Sequence, residues 1–147
     1  MAELREYSIN DFAEIKALFK NVFTSPPWTE DWSNDEQLDN YLKDLMEVRT
    51  PLILGLVEDD ALIGISIGNI RHWYKGTEYH IEELCIRTDM QGRGYGSKFM
   101  TLIEAYLKEH GFDQIFLQTE RTVPAYKFYK SLGFEELTDH VSFFKEF

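Results

Sequence analysis

The sequence predicts an α+β fold, one mixed and mostly antiparallel sheet with helices on both faces. Three observations carry that expectation. Residues 52–58, 61–70 and 78–87 are consecutive runs rich in β-branched and apolar residues, joined by turns, as in antiparallel hairpins. The pass from about residue 80 to 118 reads strand, helix, strand, which needs a parallel crossover. Amphipathic helical segments lie on either side of the central strands. The 147 residues match the span of one domain, so 1–147 is read as a single unit.

In chain order, 4–9 is a short strand. Asn10 or Asp11 can cap the helix that follows, where Phe12, Ile15, Leu18, Phe19, Val22 and Phe23 recur at helical spacing. Ser25-Pro26-Pro27-Trp28 must be irregular, because two prolines remove two donors. Ser33 or Asn34 caps a second helix carrying Leu38, Tyr41, Leu42 and Leu45. Three central strands follow, with a turn-rich stretch 69–77 between the last two. Residues 94–110 form a helix whose Phe99, Leu102, Ile103, Tyr106 and Leu107 share one face, with Gly111 placed for a left-handed C-cap. A short strand at 114–118 and a helix at 124–132, with Pro124 in its first turn, come next. Residues 134–147 are expected to supply one or two terminal strands.

Composition narrows the function. With 15 Lys and Arg against 26 Asp and Glu, the formal net charge is −11. Binding to nucleic acid or to an anionic membrane surface needs a basic surplus, so neither partner is expected. Cationic partners are favoured. The single Cys85 excludes a disulfide framework and a cysteine-based zinc site, and reads as a small core residue. The four histidines show no metal-binding spacing, so no metal is expected. No basic leader precedes an apolar run and no apolar run is long enough to span a bilayer, so a cytoplasmic protein is expected.

The chemistry concentrates at Gln91-Gly92-Arg93-Gly94-Tyr95-Gly96-Ser97-Lys98, between a strand and an amphipathic helix. Glycines let the backbone turn tightly, and a helix start offers free N–H groups and the positive end of the dipole, which suits phosphate. Arg93 and Lys98 add positive charge. Neither a Walker loop nor a dinucleotide fingerprint fits, because Ser97 stands where each needs glycine.

The pattern Q-x-x-G-x-G formed by Gln91, Gly94 and Gly96 resembles the pyrophosphate loop of the GNAT superfamily of acetyl-CoA-dependent N-acetyltransferases. Ile81-Glu82-Glu83-Leu84-Cys85-Ile86 resembles that family's splayed fourth strand. Ala125-Tyr126-Lys127-Phe128-Tyr129-Lys130-Ser131-Leu132-Gly133-Phe134 resembles its A-x-x-[FL]-Y-x-x-x-G-F segment. The resemblance covers essentially the whole chain. It implies acetyl-CoA as co-substrate and acetyl transfer to an amine within a ternary complex.

By that resemblance, residues 91–96 wrap the pyrophosphate, Ser97 and Lys98 continue the helix start, and the backbone of Leu84, Cys85 and Ile86 pairs with the pantetheine arm. A backbone N–H near Leu84 becomes an oxyanion donor. Tyr129 matches the tyrosine that protonates the departing thiolate. Thr122 stands where many relatives carry asparagine against the coenzyme arm, and it offers only a hydroxyl there. An amine must be neutral to attack, and a carboxylate can take its proton. Aminoglycoside-type relatives place an acid at Glu83; Glu82 is the reserve, and on a regular strand the two point to opposite faces. His80 stands where some histone-type relatives keep their basic residue. A water-mediated deprotonation with no single base competes with all three.

The stretch 30–47 holds seven acids, Glu30, Asp31, Asp35, Glu36, Asp39, Asp44 and Glu47, against Lys43. Beside Trp28, Trp32, Trp73 and Tyr74 it suits a small cationic amine. Ser25-Pro26-Pro27-Trp28-Thr29-Glu30 followed by Trp32 is similar to small-molecule acetyltransferases and to some aminoglycoside 6′-acetyltransferases. A protein N-terminal or lysine acetyltransferase is the first alternative. A non-catalytic acetyl-CoA-binding module is the second. The Phe-rich end, 141–147, is compatible with a homodimer through terminal strands, as in many relatives, and also with a monomer burying the same face.

Overall fold

The computed structural model describes all 147 residues. The strands are β1 (Glu3–Tyr7), β2 (Pro51–Glu58), β3 (Ala61–Trp73), β4 (Gly76–Ile86) and β5 (Gln114–Leu117). The helices are α1 (Phe12–Phe23), α2 (Asp35–Met46), α3 (Tyr95–Glu109) and α4 (Pro124–Ser131). The sheet order is β1-β2-β3-β4-β5. Its first three pairings are antiparallel and β4–β5 is parallel, because α3 carries the chain back between them.

The apolar runs bury on both faces. Ile53, Val57, Ile65, Ile67 and Cys85 pack with α1 and α2 through Phe19, Phe23, Leu38 and Leu42. Leu54, Leu56, Ile63, Tyr79 and Ile81 pack with α3 through Phe99, Met100, Ile103 and Leu107, and α4 adds Tyr129 and Leu132 at the margin. Helices therefore cover both faces, as the sequence predicts. No helix is long and apolar enough to cross a membrane.

Three expectations change and one open choice is resolved. The first helix is entered through a 3-10 turn, Ile9–Asp11, and the capping box belongs to Ser8 and Asp11, not to Asn10. At α2 the choice between Ser33 and Asn34 falls to Asn34, whose Oδ1 accepts from the Gln37 N–H at 3.1 Å. The stretch 69–77 is not a long turn, because β3 runs to Trp73 and only Tyr74 and Lys75 join it to β4. Residues 134–147 form no strand; after α4 the chain is irregular, and Phe143 and Phe144 are 95% and 87% exposed.

Candidate active site

The site begins with a broken strand pairing. β4 is paired with β5 from Glu78 opposite Gln114 to Ile81 opposite Leu117, and no further. Against β3 it continues to Ile86 opposite Gly64. The backbone of residues 82–86 therefore has a strand neighbour on one side only. Its other edge offers unpaired peptide groups, to which an extended arm can add as a strand would.

A β-bulge sits at the same point. Glu83 opposes Ile67 and Ile81 opposes Gly68, so Glu82 is the extra residue. The bulge reverses the inside–outside alternation. Tyr79 and Ile81 before it face α3, whereas Cys85 after it faces α1 and α2. This corrects the sequence expectation for the two glutamates: Glu82 and Glu83 do not point to opposite faces, and both line one cavity of about 220 Å³. His80 lies 3.6 Å from Glu82 through Nε2 and does not line that cavity.

The cavity occupies the split between β4 and β5. Its walls include Phe23, Trp28 and Glu30 from the end of α1 and the following loop, Leu117 and Gln118 from the end of β5, and Tyr129 from α4. Tyr129 is held by edge contacts with Phe128 and Phe134, at ring separations of 5.3 and 5.4 Å. Its hydroxyl makes no hydrogen bond inside the protein and opens on the cavity. Burial, with Cys85 and Glu83 nearby, pushes its pKa up to about 12, so it stays a neutral O–H donor at physiological pH.

Glu83 accepts a hydrogen bond from the Tyr41 hydroxyl at 2.6 Å. Burial raises its pKa to about 7; the Tyr41 bond opposes the rise, and Glu30 and Glu82 add to it. A carboxylate that exchanges its proton near neutrality has the affinity a general base needs. Cys85 is buried and its thiol is pushed far up by burial, which makes it an inert core residue, as the sequence predicts.

The glycine-rich loop follows β4 directly. A 3-10 turn (Thr88–Met90) leads into it, and Gln91 Nε2 donates to the Ile86 carbonyl at 2.8 Å, tying the loop to the strand end. Gly92 and Gly94 have φ of +71° and +85°, which side chains rarely adopt. Gly94 caps α3 with no side-chain acceptor, and the first turn carries no acid. The N–H groups of Tyr95, Gly96 and Ser97 therefore have no intrahelical partner. A Cβ at Gly96 would meet the Phe128 ring at 3.1 Å, so α3 and α4 approach closely there. Arg93 lies over the Tyr95 ring at 5.9 Å, while the Tyr95 hydroxyl donates to Glu58. Thr122 is exposed in the loop before α4 and makes no hydrogen bond.

The acidic stretch divides in space. Lys16 of α1 pairs with Asp35 at 2.8 Å and Asp39 at 2.7 Å, so these two act on the helix surface. Glu30 alone of the seven acids reaches the cavity wall. Trp28 lines it too, and Trp32 donates through Nε1 to Glu30 at 2.8 Å. Trp73 and Tyr74 do not belong to the site, because they form the tip of the β3–β4 hairpin, where Trp73 opposes Gly76. A wider groove of about 1670 Å³ runs along the open side of β5 but includes neither Glu83, Leu84 nor Tyr129.

A sequence profile of the acetyltransferase (GNAT) family matches residues 13–134. The chain belongs to this family and is an acetyltransferase with acetyl-CoA as co-substrate. No curated protein sequence matches the chain. Among solved structures it is similar to an aminoglycoside acetyltransferase from an uncultured soil metagenomic sample, in complex with sisomicin. There the TM-score is 0.74 at 20% identity, over 99% of this chain and 96% of the other. It is similar to AAC(6′)-Iy in complex with a CoA-S-monomethyl-acetylneamine bisubstrate analogue, with TM-score 0.72 at 18% identity over 99% and 98% of the two chains. It is equally similar in fold to a ribosomal-protein-alanine N-acetyltransferase from Brucella melitensis biovar Abortus 2308, with TM-score 0.75 at 16% identity over 99% of each chain.

Proposed function

We propose that the protein, as one domain over 1–147, moves an acetyl group from acetyl-CoA to a primary amine of a small cationic molecule, by direct transfer in a ternary complex. The observation that carries this reading is the juxtaposition of Glu83 and Tyr129 on one cavity at the split of β4 from β5. Acetyl-CoA supplies the activated acetyl thioester. The free N–H groups at the start of α3, with the loop Gln91 to Gly96 and Lys98, suit its pyrophosphate. The unpaired edge of Leu84, Cys85 and Ile86 suits its extended arm. Thr122, exposed nearby, adds a hydroxyl at most.

In this reading Glu83 takes the proton that the ammonium must lose before its nitrogen attacks. Glu82 shares the wall and adds negative charge that draws the cation in. A β4 amide near Leu84 donates to the carbonyl oxygen as negative charge develops on it. Tyr129 Oη delivers a proton to the departing thiolate. Holding both reactants in one cavity supplies several kcal/mol more through proximity alone.

Phe23, Trp28 and Glu30 on the wall give the cavity aromatic faces and an acid, which suit a small cationic amine. Aminoglycosides, bound in two of the similar structures, are cations carrying several amines and suit this wall. Acetyl-CoA is an intracellular metabolite, which fits a cytoplasmic setting. The test is coenzyme A release from acetyl-CoA against a panel of aminoglycosides, polyamines, amino acids and basic peptides. Saturable turnover on small polycations is expected. Turnover on peptides alone would move the assignment to a protein acetyltransferase, and tight acetyl-CoA binding without turnover on any amine would favour a binding module.

The homodimer belongs to the same proposal. β5 pairs only with β4, and an exposed strand edge recruits further strands. Val141, Phe143, Phe144 and Phe147 stand in solvent at the chain end, and a second copy would cover these apolar side chains. Light scattering should give a dimer for the full chain and a monomer for the double variant Phe143→Asp, Phe144→Asp. A monomeric full chain contradicts this.

A further inference from the structure

The aromatic wall behind Glu83 contains a residue that no motif singles out. Tyr41 lies on α2, far from β4 in sequence, and does not line the cavity. Its hydroxyl reaches through the wall to Glu83 Oε1 at 2.6 Å. Glu83 Oε2 has no protein partner and is left for the cavity. The Tyr41 ring is itself fixed: it stacks on Trp32 at 5.3 Å with an interplanar angle of 25°, and both rings lean on Phe19, at 6.1 and 5.8 Å. Trp32 is tethered in turn through its bond to Glu30.

We propose that Tyr41 is a positioning residue for acetyl transfer: it holds one oxygen of Glu83 so that the other meets the acceptor amine, and it stabilises the carboxylate against the neighbouring acids. This rests on Glu83 being the base.

The physical case is one of charge balance. The titratable groups facing Glu83 are Glu30 from the α1–α2 connection, Glu82 and Cys85 from β4, Tyr129 from α4 and Tyr41 from α2. None is a cation. Burial, Glu30 and Glu82 all favour the protonated form, which cannot accept a proton. The Tyr41 O–H is the one hydrogen-bond donor to the carboxylate inside the protein. Its own ionisation is pushed well beyond the usual tyrosine range by burial and by Glu83, so it remains a donor at every working pH. A phenol that only filled space behind the wall would serve equally well as phenylalanine.

The test compares the wild type, Tyr41→Phe, Glu83→Gln and a protein with 3-fluorotyrosine at position 41. For each, the pH profile of kcat/KM is recorded with neamine and with spermidine as amine probes. The Glu83 carboxyl is also titrated by ¹³C NMR, which needs no turnover. Removing the hydroxyl is expected to move the acid limb and the NMR midpoint upward by about one pH unit, roughly tenfold in rate below the limb. The stronger donor, fluorotyrosine, should move both downward. Acetyl-CoA affinity should be unchanged. A uniform loss of rate with an unmoved midpoint overturns the positioning role and leaves Glu83 as base. An acid limb that survives in Glu83→Gln overturns the base, and the positioning role with it.

Discussion

Up to Ile81, β4 has a strand on each side; from Glu82 to Ile86 it has β3 alone. The tyrosines that serve these two stretches show what changes. Tyr79, in the first, is fully buried and shares a hydrogen bond with Ser66 at 2.7 Å and donates to the Leu52 carbonyl at 3.0 Å. Tyr129, packed beside the second, keeps its hydroxyl unbonded and aimed into the cavity. One phenol completes a core, and the other lines a cavity with no hydrogen-bond partner inside the protein.

Substitutions on the two sides of the bulge should therefore fail differently. Glu83→Gln should cost about a hundredfold or more in kcat/KM at pH 8, within the usual range for loss of a general base, with acetyl-CoA binding intact. The same change should raise stability. Because the folded protein holds the Glu83 proton more tightly than the unfolded chain does, ionising it costs stability as pH rises from about 4.5 to about 7. Glutamine removes that cost, so a gain on the order of 2–3 kcal/mol is expected above pH 7 and none below pH 4, read by denaturant melts at both values. An equal gain at both would contradict the buried-acid reading.

Next in size, Tyr129→Phe should lower kcat at least tenfold with normal coenzyme binding; equal rates would remove Tyr129 from the mechanism. Gly94→Ala forces a Cβ into left-handed backbone at the start of α3. The strain is present with or without ligand, so a penalty of about 1–2 kcal/mol should appear as lost stability in denaturant melts. On the paired side, Tyr79→Phe should cost about 1–2 kcal/mol of stability and leave kcat and KM within twofold. A loss of rate there would erase the contrast between the two stretches.

The parts of this architecture that depend on local pattern were legible in the sequence. The four helices, the five strands and the glycine-rich loop follow from periodicity, caps and glycine placement, and the motifs single out Glu83 and Tyr129, which line one cavity. The bulge at Glu82 has no glycine or proline beside it in its own strand, and Gly68, which faces it across the sheet, is far away in sequence; without the bulge strict alternation separates the two glutamates. Tyr41 sits at an ordinary helical position, and only the packing of α2 on the sheet brings it to Glu83. The acids of 30–47 look alike in sequence, yet Lys16 from another helix engages two of them and the fold turns Glu30 alone to the cavity. The terminal strands were expected from apolar content, but a strand forms only where an edge accepts it, and here the chain end leaves the β5 edge unpaired.

The most direct test of where acetyl-CoA binds is a ¹⁵N-¹H correlation titration with the coenzyme, which needs no acceptor. The account predicts saturable shifts at the amides of Leu84, Cys85, Ile86 and Gly92 to Ser97, with Gly76 to Tyr79 unmoved. Shifts confined to the groove along β5, or none that saturate, would contradict it.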